Sequence, residues 1–144
     1  MAGLILAVNS GSSSLKISVF SLTSPQPRGP VDRPDSEITP VVLIASSSIT
    51  SIFSSPKFSF RVGDRPSQRQ TNTADVQSIH DHTTAFAHFL DNLKNYANID
   101  TTDILYVCHR IVHGGDFHEP VVIDKETYHH IEQLSNLAPL YARL

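Results

Sequence analysis

The segment that most restricts the fold lies around residue 10, where two apolar segments flank a serine-rich turn. Residues 4–9 are almost entirely apolar on both faces, which is typical of a strand covered on two sides within a sheet. Residues 15–21 alternate between apolar and polar side chains, the two-residue period of a strand that buries one face. Gly11, between them, is free to adopt a positive φ in a tight turn. The pattern predicts a β-hairpin.

Three later segments also have the character of strands. Residues 41–45 are apolar, and residues 58–62 alternate strictly. Residues 104–108 predict a short buried strand. Residues 23–40 differ from these segments because they contain five prolines, which block both helices and sheet ladders. That stretch predicts a proline-rich surface loop or insertion.

Two segments have the period of amphipathic helices. Asp81 is a suitable N-cap for the first, which is expected to end near Asn98. Its apolar face consists of Phe86, Phe89, Leu90, Leu93 and Ala97. Asp124 is a suitable N-cap for the second, which Pro139 stops. Its inward-facing residues are predicted to be Tyr128, Ile131, Leu134 and Leu137. Strands followed by helix, strand and helix indicate the α/β class.

Composition excludes several classes of function. The chain has 144 residues, a formal net charge of −3 and 40% hydrophobic residues, which suits one globular domain. It has no block of five or six basic residues, so we expect no nucleic-acid partner. It has no apolar run of membrane-spanning length and no signal-peptide pattern. A single cysteine, Cys108, fits a reducing compartment. We therefore expect a cytoplasmic protein that does not bind membranes.

The turn after the first predicted strand has the chemistry of a phosphate-binding loop. Its sequence is Asn-Ser-Gly-Ser-Ser-Ser-Leu-Lys at residues 9–16, which supplies backbone N–H groups, hydroxyls and the positive charge of Lys16. It is not a P-loop, because the Gly-Lys-Ser/Thr ending is missing and the turn joins two strands. Nor does it match the Gly-x-Ser-x-Gly nucleophile elbow. The alternative is an ordinary hairpin whose turn residues happen to be polar.

A second motif follows the predicted strand at residues 104–108. It reads His-Arg-Ile-Val-His-Gly-Gly at residues 109–115. Ligands of open α/β sheets bind beyond the carboxyl ends of strands. The planar guanidinium of Arg110 matches a carboxylate or a phosphoryl group. The alternative for Arg110 is a surface ion pair.

Eight histidines raise the question of a metal site. His109 and His113 are four residues apart, but they lie between an apolar strand and two glycines rather than on one helix. The pairs His80–His82 and His129–His130 match no standard ligand spacing. We expect most of these histidines to be solvent-facing or locally hydrogen-bonded.

Three segments in this order and spacing resemble the acetate kinase family, which is part of the actin/hexokinase-like superfamily of phosphotransferases. They are residues 9–16, residues 109–115 and the Leu-Ala-Pro-Leu at residues 137–140. The resemblance implies a mixed sheet with flanking helices, the N-terminal part of an RNase H-like domain. It implies that residues 1–144 form an incomplete domain of that kind, with residues 23–40 as the insertion. Members of the family are homodimers.

The resemblance also implies an activity, namely reversible transfer of the γ-phosphoryl group of ATP to acetate, which gives acetyl phosphate and ADP. Magnesium would be the cofactor, with Asn9 at the metal and the transferred group. Ser12, Ser14 and Lys16 would contact the phosphates of ATP. An in-line transfer of this kind depends mainly on positioning and on cationic groups.

The acetate side of the implied site involves three residues. Arg110 would be catalytic and would also hold the acetate carboxylate, while Val112 and Leu140 would line the pocket for its methyl group. The sequence departs from the family at Tyr141, where a histidine is usual, and a phenol is neutral at pH 7. Other catalytic groups of the family would lie beyond residue 144, so we expect the 144-residue chain to be inactive alone. Two alternatives remain: a non-catalytic remnant that binds phosphate or a partner, and an unrelated metal-binding α/β domain.

Overall fold

The computed structural model describes residues 3–22, 41–63, 75–111 and 115–134. The proline-rich segment predicted at residues 23–40 lies outside these residues, and so do Val112 and Leu140. The strands are β1 (Leu4–Ser10), β2 (Leu15–Leu22), β3 (Val41–Thr50), β4 (Lys57–Val62) and β5 (Ile104–His109). The helices are α1 (His82–Ala97) and α2 (Lys125–Leu134), and two 3₁₀ turns lie at Asp75–Ser78 and Thr101–Asp103. The predicted α/β class is confirmed.

The five strands form one mixed sheet in the order β4-β3-β2-β1-β5. The predicted hairpin is confirmed, because β1 and β2 pair antiparallel with Leu6 opposite Val19. β5 instead pairs parallel with β1. Parallel pairing requires a long crossover, and the connection through α1 returns the chain to the end of the sheet where β1 begins. β3 is longer than the predicted strand at residues 41–45. It continues to Thr50 because β2 and β4 pair with it on either side. Its serines are tolerated there because successive residues of a strand point to opposite faces of the sheet.

One face of the sheet and helix α1 enclose the core. Leu6 and Val8 of β1 lie on that face, in register with Val19 and Ile17 of β2. α1 packs against β2, β3 and β4 and contributes the buried residues Ala85, Phe89 and Leu93. The expectation that β1 is covered on both sides is only half right. Its second face is partly buried, and Asn9 there is exposed.

Helix α1 begins and ends where the sequence predicts. The backbone N–H of Thr84 donates to Asp81 at 2.7 Å, and the Thr84 hydroxyl accepts from the backbone N–H of Asp81 at 3.1 Å, which is a capping box. These bonds from Thr84 hold the pKa of the Asp81 carboxyl below its usual range. Asn98 ends the helix in the left-handed region, with φ 52°.

Two predictions about burial are wrong. Strand β5 is present, but Leu105, Tyr106 and Val107 are 63%, 60% and 65% exposed. Successive strand residues point to opposite faces, so the described residues cover neither face of β5, which lies at the sheet edge. Helix α2 begins after Asp124 as predicted, yet Tyr128 is 54% exposed rather than inward-facing. Leu137 and Pro139 lie outside the described residues. Neither α1 nor any other helix in the described segments is long and apolar enough to cross a membrane.

Candidate functional site

The serine-rich turn joins β1 to β2 at one end of the sheet. Asn9 and Lys16 form the second cross-strand pair from this turn, after Ser10 and Leu15, and both are exposed on the face opposite the core. Directly paired residues of antiparallel strands have side chains about 5 Å apart. The turn closes with the backbone N–H of Gly11 donating to the carbonyl of Ser14 at 2.8 Å. The fold therefore places Asn9, Lys16 and the turn serines at one site.

Gly11 lies in close contact with Ser14 and does not adopt a left-handed conformation. Of the described glycines, Gly63 and Gly115 have positive φ, and Gly11 does not. A Cβ at Gly11 would instead lie 2.7 Å from the Ser14 hydroxyl oxygen, well inside van der Waals contact. The turn thus does not use the positive φ open to Gly11, and a side chain at position 11 would meet the Ser14 hydroxyl.

Two contacts hold the carbonyl groups of the turn against the rest of the protein. The His82 Nε2 lies 2.7 Å from the Gly11 carbonyl oxygen, and the backbone N–H of Ile52 donates to the Ser13 carbonyl at 3.1 Å. Phe53 links the two supports, because its ring centroid lies 5.6 Å from that of His82. Sequence reasoning missed these contacts. A helix start at residue 82 is readable from the sequence, but its partner 71 residues earlier is not.

The opposite groups of the turn are available to a ligand. Within the described part of the chain, the backbone N–H groups of Ser12 and Ser13 donate to no acceptor, and neither hydroxyl makes a hydrogen bond. Successive unpaired N–H groups in a turn form a concave site of positive partial charge that suits an anion. Lys16 forms no ion pair with any described residue, so its charge is not neutralised there.

Arg110 lies at the same end of the sheet as the turn. Its backbone N–H donates to the Val8 carbonyl at 3.0 Å, which extends the parallel pairing of β5 with β1 by one step. Arg110 is therefore placed beside Asn9 in the backbone register, and it is exposed. No carboxylate among the described residues forms an ion pair with Arg110, so nothing in those segments supports the ion-pair alternative.

His109, just before Arg110, is partly buried. Burial lowers the pKa of the His109 imidazole, because a buried site disfavours the charged form. The ring is therefore neutral near pH 7 and does not add a second positive charge next to the guanidinium.

The histidines do not gather into a metal site in the described segments, where no group of three or more His, Cys, Asp or Glu side chains has suitable geometry. His129 instead contacts Glu132 at 3.2 Å, and His130 lies 3.9 Å from Asp116. His113 lies outside the described residues. The histidine-based metal domain thus gains no support from this part of the structure.

Comparison with known proteins decides the family. The family model described as "Acetokinase family" matches residues 4–143. The chain belongs to the acetokinase family. The match takes in the serine-rich turn and Arg110.

Members of the acetokinase family from fungi and bacteria align along almost the whole chain. A probable acetate kinase from Emericella nidulans is 40% identical over 141 residues, which are 95% of this chain and 29% of the relative. An acetate kinase from Staphylococcus epidermidis is 35% identical and covers 98% of this chain and 29% of its own length. The chain thus spans about three tenths of the length of these relatives.

A solved structure supports the fold independently of sequence. The crystal structure of a propionate kinase from Francisella tularensis superposes with a TM-score of 0.63 over 96% of this chain and 30% of that protein. The two sequences are 22% identical, so the likeness concerns the fold alone.

Proposed function

We propose that this chain forms the phosphate- and carboxylate-binding part of a phosphotransferase that moves the γ-phosphoryl group of ATP to acetate and back. The observation that carries the proposal is the placement of the unpaired turn amides and Arg110 at one end of the sheet, in a chain of the acetokinase family. Acetate is the proposed acceptor because the relatives from Emericella nidulans and Staphylococcus epidermidis are described as acetate kinases.

The phosphate side of the proposed site uses the turn. The N–H group and the hydroxyl of Ser12, and the Ser14 hydroxyl, would bind phosphate oxygens, and Lys16 would add a positive charge. This assignment is supported by the fact that these donors have no partners among the described residues. Charge developing on the transferring group is stabilised by fixed donors that need no rearrangement, which is the main source of catalysis in such reactions.

The carboxylate side uses Arg110. A guanidinium beside the β1 end can bind the acetate carboxylate through two parallel N–H bonds and still contact the transferring group. Val112 and Leu140 are proposed to contact the methyl group. In such an apolar pocket, two acids that differ by one methylene differ in transition-state binding free energy by about 1–3 kcal/mol. We therefore propose a preference for acetate rather than exclusion of longer acids.

Magnesium fits the proposed site only in company with ATP. The proposed residues offer the amide oxygen of Asn9 and serine hydroxyls but no carboxylate, whereas Mg²⁺ normally takes one or two carboxylates together with substrate phosphates and water. When bound with ATP, the ion neutralises phosphate charge. Asn9 is proposed to hold it through its amide oxygen or a water molecule.

The same lack of a carboxylate favours a second candidate function, in which the chain binds phosphate without turnover. The proposed residues bind and orient, but none of them is an imidazole or a carboxylate. The 144-residue chain spans about three tenths of its relatives' length, and we expect it to form no acetyl phosphate above background. Turnover by this chain that Arg110→Ala abolishes would overturn that expectation.

A chimera tests the catalytic proposal. Residues 1–140 of this chain, which leave out Tyr141, replace the matching segment of the Emericella nidulans relative, and acetyl phosphate is measured as its hydroxamate. We expect activity in the chimera and a loss of about a thousandfold or more on Arg110→Ala. Arg61→Ala is the matched control, because Arg61 is an exposed arginine on β4 at the other edge of the sheet. An active chimera in which Arg110→Ala behaves like Arg61→Ala would refute the role of Arg110.

A further inference from the structure

We infer that His82 is a positioning residue for the proposed phosphate site, which it shapes from behind by fixing the carbonyl of Gly11. This inference rests on the proposed function for the ligand, but its structural part stands on the contacts of His82 alone. His82 is the first residue of α1, and its ring reaches across the chain to the turn between β1 and β2.

The direction of the hydrogen bond fixes the protonation of the ring. The Nε2 of His82 lies 2.7 Å from the carbonyl oxygen of Gly11, and a carbonyl oxygen can only accept. The Nε2 must therefore carry the hydrogen. In the neutral ring this N–H is the single donor, and it is committed to the turn.

The consequence for the turn follows from peptide geometry. The carbonyl of Gly11 and the N–H of Ser12 belong to one planar peptide unit and point in opposite directions. Holding the carbonyl toward α1 therefore aims the Ser12 N–H away from the core. The Ile52 N–H does the same to the carbonyl of Ser13, which shares its peptide unit with the N–H of Ser14 and directs that N–H outward as well. His82 and Ile52 together keep the N–H groups of Ser12 and Ser14 oriented before a ligand arrives.

The ring of His82 is itself held in place. Its residue follows the Asp81 cap, whose bonds to Thr84 fix the first turn of α1. Phe53 lies against the ring with an interplanar angle of 59°. The position of the turn is thus tied to the helix that contributes Ala85, Phe89 and Leu93 to the core. A loss of the His82 contact frees the turn without removing a buried apolar side chain.

The first experiment examines wild-type protein and needs no variant. Long-range ¹H–¹⁵N NMR spectra of the 144-residue chain report which ring nitrogen of each neutral histidine carries hydrogen. We expect the Nε2–H tautomer for His82. The Nδ1–H tautomer would overturn the inference, because Nε2 would then have no hydrogen to donate.

The second experiment compares His82→Ala, His82→Gln and the control His80→Ala. The Gln amide supplies an N–H donor of similar reach, and His80 is a neighbouring histidine with a 72% exposed side chain that does not contact the turn. ¹⁵N relaxation measures the order of the amides at residues 12–14. We expect order parameters to fall from about 0.85 toward 0.6 in His82→Ala and to recover in His82→Gln. Unchanged order in His82→Ala would overturn the inference.

Titration with inorganic phosphate separates the inference from the proposed function. We expect His82→Ala to weaken phosphate binding about fivefold, as the loss of one hydrogen bond would, and His82→Gln to restore most of it. If wild-type protein binds no phosphate but loses turn order in His82→Ala, the proposed function fails and the positioning role of His82 stands. If wild-type protein binds phosphate and His82→Ala binds it equally well, the positioning role fails and the proposed function stands.

Discussion

Replacing Gly11 with alanine should destabilise the protein when position 14 is serine and stabilise it when position 14 is alanine. The added Cβ would lie 2.7 Å from the Ser14 hydroxyl oxygen, and the next described atom outside the chain neighbours, the Ser14 carbonyl oxygen, is 3.8 Å away. A comfortable carbon–oxygen contact is about 3.3 Å or more, so the overlap is about 0.6 Å. The whole clash falls on one atom, which the substitution Ser14→Ala removes.

The expected magnitudes follow from two opposing terms. Forcing an extra carbon into a close contact costs about 1–3 kcal/mol, whereas Gly→Ala in compatible backbone stabilises by about 0.4–1 kcal/mol through the unfolded state. Gly11 does not have the positive φ that would make alanine strained. We therefore expect Gly11→Ala to destabilise the wild type by about 1 kcal/mol and to stabilise the Ser14→Ala variant by about 0.4–1 kcal/mol.

The assay is a double-mutant cycle. Urea unfolding of the wild type, both single variants and the double variant, followed by circular dichroism, gives four free energies of unfolding. A coupling energy of about 1–3 kcal/mol is expected. Coupling below about 0.5 kcal/mol would refute the reasoning, because the cost of the Cβ would then not arise from Ser14.

Three further predictions concern stability, and urea unfolding measures each of them. Leu93 is 1% exposed, so Leu93→Ala should lower the free energy of unfolding by about 2–5 kcal/mol. Leu105→Ala on β5 is the control and should change that free energy by no more than about 0.5 kcal/mol. Equal losses in the two variants would contradict the assignment of Leu93 to the core. Ser47 is 6% exposed and its hydroxyl has no hydrogen-bond partner among the described residues, so Ser47→Ala should stabilise by about 1 kcal/mol. Ser59→Ala is its control and should not stabilise, because the Ser59 hydroxyl bonds the Ser48 carbonyl at 3.4 Å. Burial lowers the pKa of His109 in the folded state, so its unfolded imidazole takes up a proton first, near pH 6.5. Stability should thus fall as the pH drops below 6.5, and His109→Gln should lessen that fall; an identical pH profile would show that His109 does not contribute.

Elements set by neighbours in sequence were predictable. The capping box between Asp81 and Thr84, and the left-handed stop at Asn98, depend only on residues within one turn of α1. The hairpin is similar, since two segments of matching period flank a short polar turn. Arg110 at the strand end also followed, because the carboxyl ends of parallel strands share one sheet edge.

Features set by distant contacts were not predictable. The contact of His82 with Gly11 joins residues 71 apart, and no periodicity records it. The exposure of Leu105 and Tyr106 depends on what covers an edge strand, whereas their apolar character resembles that of a buried one. Gly11 was correctly expected to be special, but the close approach of Ser14 is a property of the folded turn.

The pairing of Asn9 with Lys16 on the face turned away from α1 has an evolutionary consequence. The side chains that pack in the core lie on one face of the sheet, and the groups proposed to bind ligands lie on the other face. Exchanges at Asn9 or Lys16 leave the packing around Phe89 untouched, so ligand preference can drift without a loss of stability. A lineage that carries this scaffold can therefore explore other anions at the turn while it keeps the same folded frame.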